Sequence, residues 1–405
     1  MPGAFLCGLR HPLVSRVLLP WVLLSIIAVS TPVTERAQGF DSDGKRYGAM
    51  ADESLFKSRY RHEAPWCWRV VTPFLASLLP FETLTNFRVL AFVSNWLSLV
   101  FLFGILRRSG FSPLLCQLGV LLYAGVFWSA KFFFYSPAYI DSGTQALLLA
   151  IVYLALGKAT RGIPLLLAVG VLQKESLLFL APVVWVDYAR ARGWSAKSTI
   201  GYGAALLAFP VFALIAVRTG IPATNDYSAF EMIRSQAARL ATLDFWPRLG
   251  LAAFSGLGIL PLVVALGPAT ARDALSRRPL WWVLTAIAVL FLVFGEDKAR
   301  LFLYLLPALV VAALQVIQTH VLQGRLEGVE RVRAGTWIAA VLALHLFLGH
   351  HFTRIGRFGD YLDRMVPMYA SDEAITGGLV RVAVVVALFG AATVLLLRRP
   401  ASFRA

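Results

Sequence analysis

Charge is scarce in this chain. Only 15% of its 405 residues are Asp, Glu, Lys or Arg, whereas a soluble domain carries about 25%. A water-facing shell of ordinary density cannot be built from so few. Cysteine is nearly absent: Cys7, Cys67 and Cys116 stand far apart. That spacing excludes a disulfide framework or a cysteine zinc knuckle and leaves them as small apolar residues. Histidine is rare too, and the pair His350-His351 points two ways on a helix with no third ligand spaced nearby. There is no Walker A sequence, no Rossmann glycine fingerprint and no His-Glu-x-x-His. Nucleotide-driven transport and zinc proteolysis therefore lack their machinery, and nothing indicates a cofactor or a protein-bound metal.

Apolar residues fill the space left by charge, at 58% of the chain with a mean hydropathy of +0.70. Runs of roughly 15 to 20 apolar residues recur from end to end. The expected fold is all-α, a polytopic transmembrane helical bundle of about ten full spans plus a broken helical hairpin. Expected spans are Val17 to Val33, Val89 to Leu106, Ser112 to Trp128, Gly143 to Gly157 and Thr199 to Val217. Leu249 to Leu266, Trp281 to Phe294, Leu301 to Ile317, Gly335 to Leu348 and Gly378 to Leu397 follow. The reading is a single transmembrane domain over 1–405, with no separate soluble domain.

The net charge of +16 comes from Lys and Arg placed singly or in small groups between apolar runs. That is the pattern of topology-setting loops, and no soluble basic face exists for nucleic acid. Arg10 and Arg16 place the N-terminus in the cytoplasm, so the first span delivers an external loop at 34–80 bearing interfacial helices. Arg107, Arg108, Lys158 and Arg161 then fall inside. Ile163 to Tyr188 decides the parity, because Arg161 precedes it and Arg190, Arg192 and Lys197 follow. A hairpin turning at Lys174-Glu175 keeps both basic flanks inside; a single crossing would reverse every later loop. The chain is thus expected in the inner (plasma) membrane with its chemistry on the external face.

Five segments on that face carry polar groups. Asp41-Ser42-Asp43-Gly44 lies just beyond the first span, although the same residues suit a turn or a helix cap. Arg61 and Arg69 flank Trp66-Cys67-Trp68 and suit either interfacial anchoring or a lipid phosphate. Lys131 to Asp141 is an aromatic belt whose final acid starts a span. Lys174-Glu175 sits at membrane depth, where ionisable groups mark a functional cavity unless they pair with each other. Glu296 to Arg300, with Asp297, is a charged turn between two spans.

In order and on one side, these segments resemble the polytopic GT-C glycosyltransferases, which use polyprenyl-phosphate-linked sugars. The resemblance rests on Asp41-Ser42-Asp43-Gly44 with Tyr47 and Met50-Ala51, Arg69 to Pro73, Asp141, Lys174-Glu175, and Asp297 with Arg300. The chain departs from many members in lacking a large domain after the membrane part, and in offering two first-loop acids. The resemblance implies an inverting transfer from a polyprenyl-phosphate sugar to a glycan, lipid or protein hydroxyl. Asp41 or Asp43 is the implied base, and Asp141 orients acceptor or base. Arg69, Lys174 and Arg300 are the implied phosphate ligands, with Arg61, Lys131, Glu175 and Asp297 as further substrate contacts. Membrane lipids are the surrounding partners. A multi-pass transporter or lipid flippase would also use intramembrane charges and a broken hairpin, and a lipid-linked glycan polymerase would share the substrate.

Overall fold

The computed structural model describes residues 14–53, 62–194, 196–290, 298–323, 328–351 and 371–397. Cys7, Arg10, Arg61, Glu296 and Asp297 lie outside the described residues, as do the side chains of His350 and His351. Regular structure among the described residues is all helical, with one isolated bridge between His62 and Ala223 and no strand. The chain divides into two compact units. The first comprises Met1–Val120, Ser129–Met232 and Arg278–Val289; the second comprises Leu121–Trp128, Ile233–Arg277 and Leu290–Ala405.

The helices of the first unit include α1 (Leu19–Ser30), α2 (Asp43–Glu53), α3 (Val71–Leu78), α4 (Thr83–Arg108), the greater part of α5 (Pro113–Ala124), whose last turn belongs to the second unit, and α6 (Lys131–Tyr135). They continue with α7 (Asp141–Leu156), α8 (Ile163–Gln173), α9 (Leu180–Arg192) and α10 (Lys197–Gly220). α4 packs along α7, and α10 packs along both α8 and α9. Asn86 of α4 anchors the short α3: its amide donates to the carbonyls of Ala76 at 2.9 Å, Leu79 at 3.0 Å and Phe81 at 3.0 Å. Carbonyls at and just beyond a helix end run short of helical partners, so one side chain ties the end of α3 to the long helix α4.

The segment 163–192 folds back on itself. α8 stops at Gln173, Lys174 is extended (φ −162°, ψ 126°), and a 3-10 turn at Glu175–Phe179 leads into α9. The turn sits at the N-terminal end of α7, where the Gln173 amide donates to the Ile140 carbonyl at 2.6 Å. Its two ends return to the opposite end of α7. There the Tyr202 hydroxyl donates to the Thr160 carbonyl at 2.9 Å, and the Tyr202 ring lies 4.3 Å from that of Tyr188. α7 has 16 residues, about 24 Å at the usual helical rise.

Among the described residues, four helices are long and apolar enough to cross a membrane: Thr83–Arg108, Lys197–Gly220, Gly328–Leu348 and Asp372–Leu397. A fifth span arises if the bent pair Lys298–Tyr304 and Leu306–Leu322 counts as one, and shorter apolar helices include α5, α7 and α8. Large apolar side chains stand outward on α10, with Phe212 73% and Ile215 56% exposed. Meanwhile Asn86, Asp141 and Gln173 are buried. Exposed apolar side chains on a long helix suit a surface that faces lipid.

In the second unit the regular elements include α11 (Phe245–Leu257), α12 (Leu260–Ala265), α13 (Pro268–Ser276) and α14 (Lys298–Leu301). Next come α15 (Leu306–Val316), α16 (Gly328–His351) and α17 (Asp372–Leu397). Two expected spans are interrupted here. Leu249 to Leu266 breaks at Gly258, whose φ of +59° ends α11, and Pro261 opens α12. The fully buried His345 fills the break. Its Nδ1 accepts from the Ile259 amide at 3.2 Å, and Nε2 lies 2.7 Å from the Leu122 carbonyl, so the ring proton sits on Nε2. Leu301 to Ile317 bends by 64°, because Pro307 begins a new helix at α15.

Candidate active site at the acidic end of the first unit

The first-loop acids are held by a helix that needs one apolar face and two glycines. α2 buries Gly44, Tyr47, Gly48 and Ala51, the spacing of a single helical stripe. A Cβ on Gly44 would lie 3.2 Å from the Cβ of Ala138, and one on Gly48 would lie 2.7 Å from the Phe40 ring. Close approach thus sets the Asp43 loop against the loop ending in Asp141. Tyr47, Met50, Ala51, Ala76, Phe87, Ala138 and Ile140 form the shared core, and the Thr34 amide donates to the Tyr135 carbonyl at 2.9 Å.

Just before α2 the backbone is strained. Ala37, Gln38 and Ser42 have φ of 48°, 55° and 45°, each costing about 1–3 kcal/mol for a residue with a Cβ. The turn these residues make leaves Asp41 3% exposed and Asp43, at the start of α2, half-buried.

Arg69 follows the Trp66–Trp68 turn and reaches inward. Its Nε donates to Glu175 Oε2 at 3.0 Å and its Nη1 to the Tyr47 hydroxyl at 3.3 Å. The Trp68 ring nitrogen donates to the Ile221 carbonyl at 3.2 Å, and Asn225 Oδ1 accepts from the Ala64 amide at 2.6 Å. The stretch after α10 is therefore part of the same surface. Lys174 donates to Asp141 Oδ1. Lys174 and Glu175 do not pair with each other: each takes a partner from a different segment.

Neutral Gln173 fixes all three segments. Its Oε1 accepts from the Thr72 amide at 3.1 Å and the Thr72 hydroxyl at 2.9 Å, while its amide holds Ile140. The residue before the Lys-Glu pair thereby sets the distance between Arg69, Asp141 and Lys174.

The electrostatics follow from burial and these neighbours. Tyr47 is 1% exposed; burial raises its phenol pKa far above the usual range, against Arg69 and with help from Asp43 and Asp141. It stays protonated, accepting from Arg69 and keeping its own hydrogen to donate. Burial works against the Arg69 charge, but Glu175, Tyr47 and Asp43 outweigh it and raise its pKa. Both cations keep unused donors among the described residues: Nη2 of Arg69, and two of the three ammonium hydrogens of Lys174.

Of the residues expected to carry chemistry, Asp41, Asp43, Arg69, Asp141, Lys174 and Glu175 gather at this end of the first unit. Lys131 opens α6 and is half-buried, and burial lowers its ammonium pKa. Arg300 lies on α14 in the second unit. Arg61 and Asp297 fall outside the described residues. Sequence reasoning missed the roles of Tyr47, Thr72 and Gln173, together with Arg218, whose guanidinium lies 4.6 Å over the Trp68 ring. Tyr47 is one helical turn past Asp43, a spacing that could have linked them. Among the described residues no three His, Cys, Asp or Glu side chains group as a metal site.

Comparison with protein-family models, curated proteins and solved structures found no match for this chain.

Proposed function

We propose that the chain is a GT-C-like membrane glycosyltransferase that moves a sugar from a polyprenyl-phosphate donor to an acceptor hydroxyl. In this reading Asp43 is the general base. The acceptor oxygen bonds to the anomeric carbon, its proton passes to the Asp43 carboxylate, and the bond from that carbon to the phosphate oxygen breaks. The bonding pair leaves with the lipid phosphate, which gains one negative charge. A single displacement inverts the anomeric carbon. A phosphate leaving group needs little acid help, so one base suffices.

The observation that carries this reading is the meeting of Asp43, Tyr47, Arg69, Asp141, Lys174 and Glu175 at one end of the unit. Ion pairs with Glu175 and Asp141 hold Arg69 and Lys174 in place, so their charge is oriented before a substrate arrives. Their unused donors supply the hydrogen bonds that a departing phosphate requires. Asp43 is favoured over Asp41 because a base must touch its acceptor and Asp41 is almost wholly buried. The chain then sits in the inner membrane as about ten passes and a broken hairpin, N-terminus in the cytoplasm, this end external.

The test is transfer by the purified protein in liposomes, offered a panel of polyprenyl-phosphate sugars and hydroxyl acceptors. One donor should react, and Asp43→Asn should lose at least about 100-fold in rate while Asp41→Asn loses less. Full turnover by Asp43→Asn sinks the choice of base; no transfer from any donor sinks the activity.

A further inference from the structure

The opposite end of the first unit holds a cavity of about 180 Å³ lined by Lys158, Thr160, Asp187, Tyr188, Arg192 and Arg278. This is below the roughly 300–1,000 Å³ of pockets for drug-sized ligands, and suits a single headgroup. Three cations face one carboxylate, and that carboxylate is committed: Arg278 donates to Asp187 at 3.3 Å. Lys158 and Arg192 have no carboxylate partner among the described residues. Arg192 is instead set over the Tyr188 ring at 5.1 Å, which orients it. Thr160 and Tyr188 add hydroxyl donors to the wall.

Lys158 stands there at a backbone cost. The Ala159 amide donates to the Leu154 carbonyl and the Lys158 amide to Ala155, both at 3.1 Å, which is a Schellman ending of α7. Lys158 occupies its left-handed position with φ of 61°, where glycine or asparagine is favoured. A lysine kept in that place points to a use for its charge. The same end carries Arg16 and Arg108 over the Tyr153 ring, at 5.2 and 3.5 Å, so its potential is positive over a wide area.

We infer that this cavity binds the phosphate of an anionic lipid headgroup or of a soluble phosphate ester, with Lys158 and Arg192 as its ligands. Basic pockets between helix ends are built for that chemistry. The site is separated from the acidic end by the length of α7 and is independent of glycosyl transfer.

The test titrates the full chain, purified in neutral detergent, with dilauroyl phosphatidylglycerol and counts bound lipid by native mass spectrometry. Wild type should show one saturable site, and Lys158→Asn with Arg192→Gln should bind about tenfold more weakly. Arg161→Gln with Lys197→Gln removes the same charge outside the cavity and should leave affinity unchanged. Lys158→Asn alone should hold or raise the thermal midpoint, since asparagine suits the left-handed position, which separates lost binding from lost folding. Displacement by millimolar inorganic phosphate assigns a soluble source; retention of the lipid against it assigns the bilayer. Equal affinity in wild type and both double variants, or no saturable lipid, overturns the inference.

Discussion

Gln173 accepts two hydrogen bonds from Thr72, one from its backbone amide at 3.1 Å and one from its hydroxyl at 2.9 Å, across 101 residues of chain. Both groups are buried, and leaving such a donor unsatisfied costs about 1–3 kcal/mol. Because Gln173 also holds the Ile140 carbonyl, the neutral amide acts as the spacer between the charged groups on either side.

Gly143 exposes this dependence. Alanine inside a helix is normally worth about 1 kcal/mol over glycine. A Cβ at Gly143, however, would lie 2.7 Å from the Gln173 amide nitrogen and 3.2 Å from the Thr72 hydroxyl, whereas one at Gly201 meets nothing within 4 Å. Gly143→Ala should lower the thermal midpoint in detergent, and Gly201→Ala should raise it or leave it level. Shifts in the same direction at both sites would show that Gln173 is not fixed as described.

Arg69 uses two differently directed donors, Nε to Glu175 and Nη1 to Tyr47. Lysine cannot reproduce that fork. Arg69→Lys should therefore lose about 100-fold in transfer rate, the scale of a misplacement near 1 Å, with Tyr47→Phe losing about tenfold. Rates within a factor of two of wild type for Arg69→Lys would mean that charge alone is needed there.

Cys67 is fully buried, and burial pushes its thiol up to about 11, with Glu175 adding to the rise and Arg69 and Arg218 opposing it. The folded state thus holds the proton more tightly than the unfolded chain. This contribution is complete below the ordinary thiol range, and is lost as pH rises toward 11. Thermal midpoints should fall over that alkaline window in wild type and fall less in Cys67→Ala. Iodoacetamide at pH 8 should spare Cys67 until the protein unfolds; rapid labelling of the folded chain would contradict the burial.

Much of this arrangement is legible in the charges. Arg161 and Arg190, on either side of an apolar segment too long for one comfortable pass, require the chain to turn back at Lys174-Glu175, and it does. Asp141 starts a helix as its position before an apolar run implies. The partners are another matter. Adjacent Lys174 and Glu175 invite a mutual ion pair, yet one faces Asp141 and the other Arg69, because successive residues leaving an extended backbone point apart. Gln173 and Thr72 carry no charge and match no motif, so nothing local marks them. Likewise Gly258 and Pro307 interrupt apolar runs whose hydropathy alone reads as continuous.

The proposed activity requires one compartment for Asp43, Asp141 and the Lys174-Glu175 turn, with the arginine-rich end facing the other way. Single cysteines at the exposed positions Lys45 and Lys197, in a chain whose own cysteines are replaced, can be probed on sealed cells with a membrane-impermeant maleimide. Lys45→Cys should label at once and Lys197→Cys only after permeabilisation. Labelling of both from outside, or of Lys197→Cys alone, would contradict the proposed orientation and remove the external site.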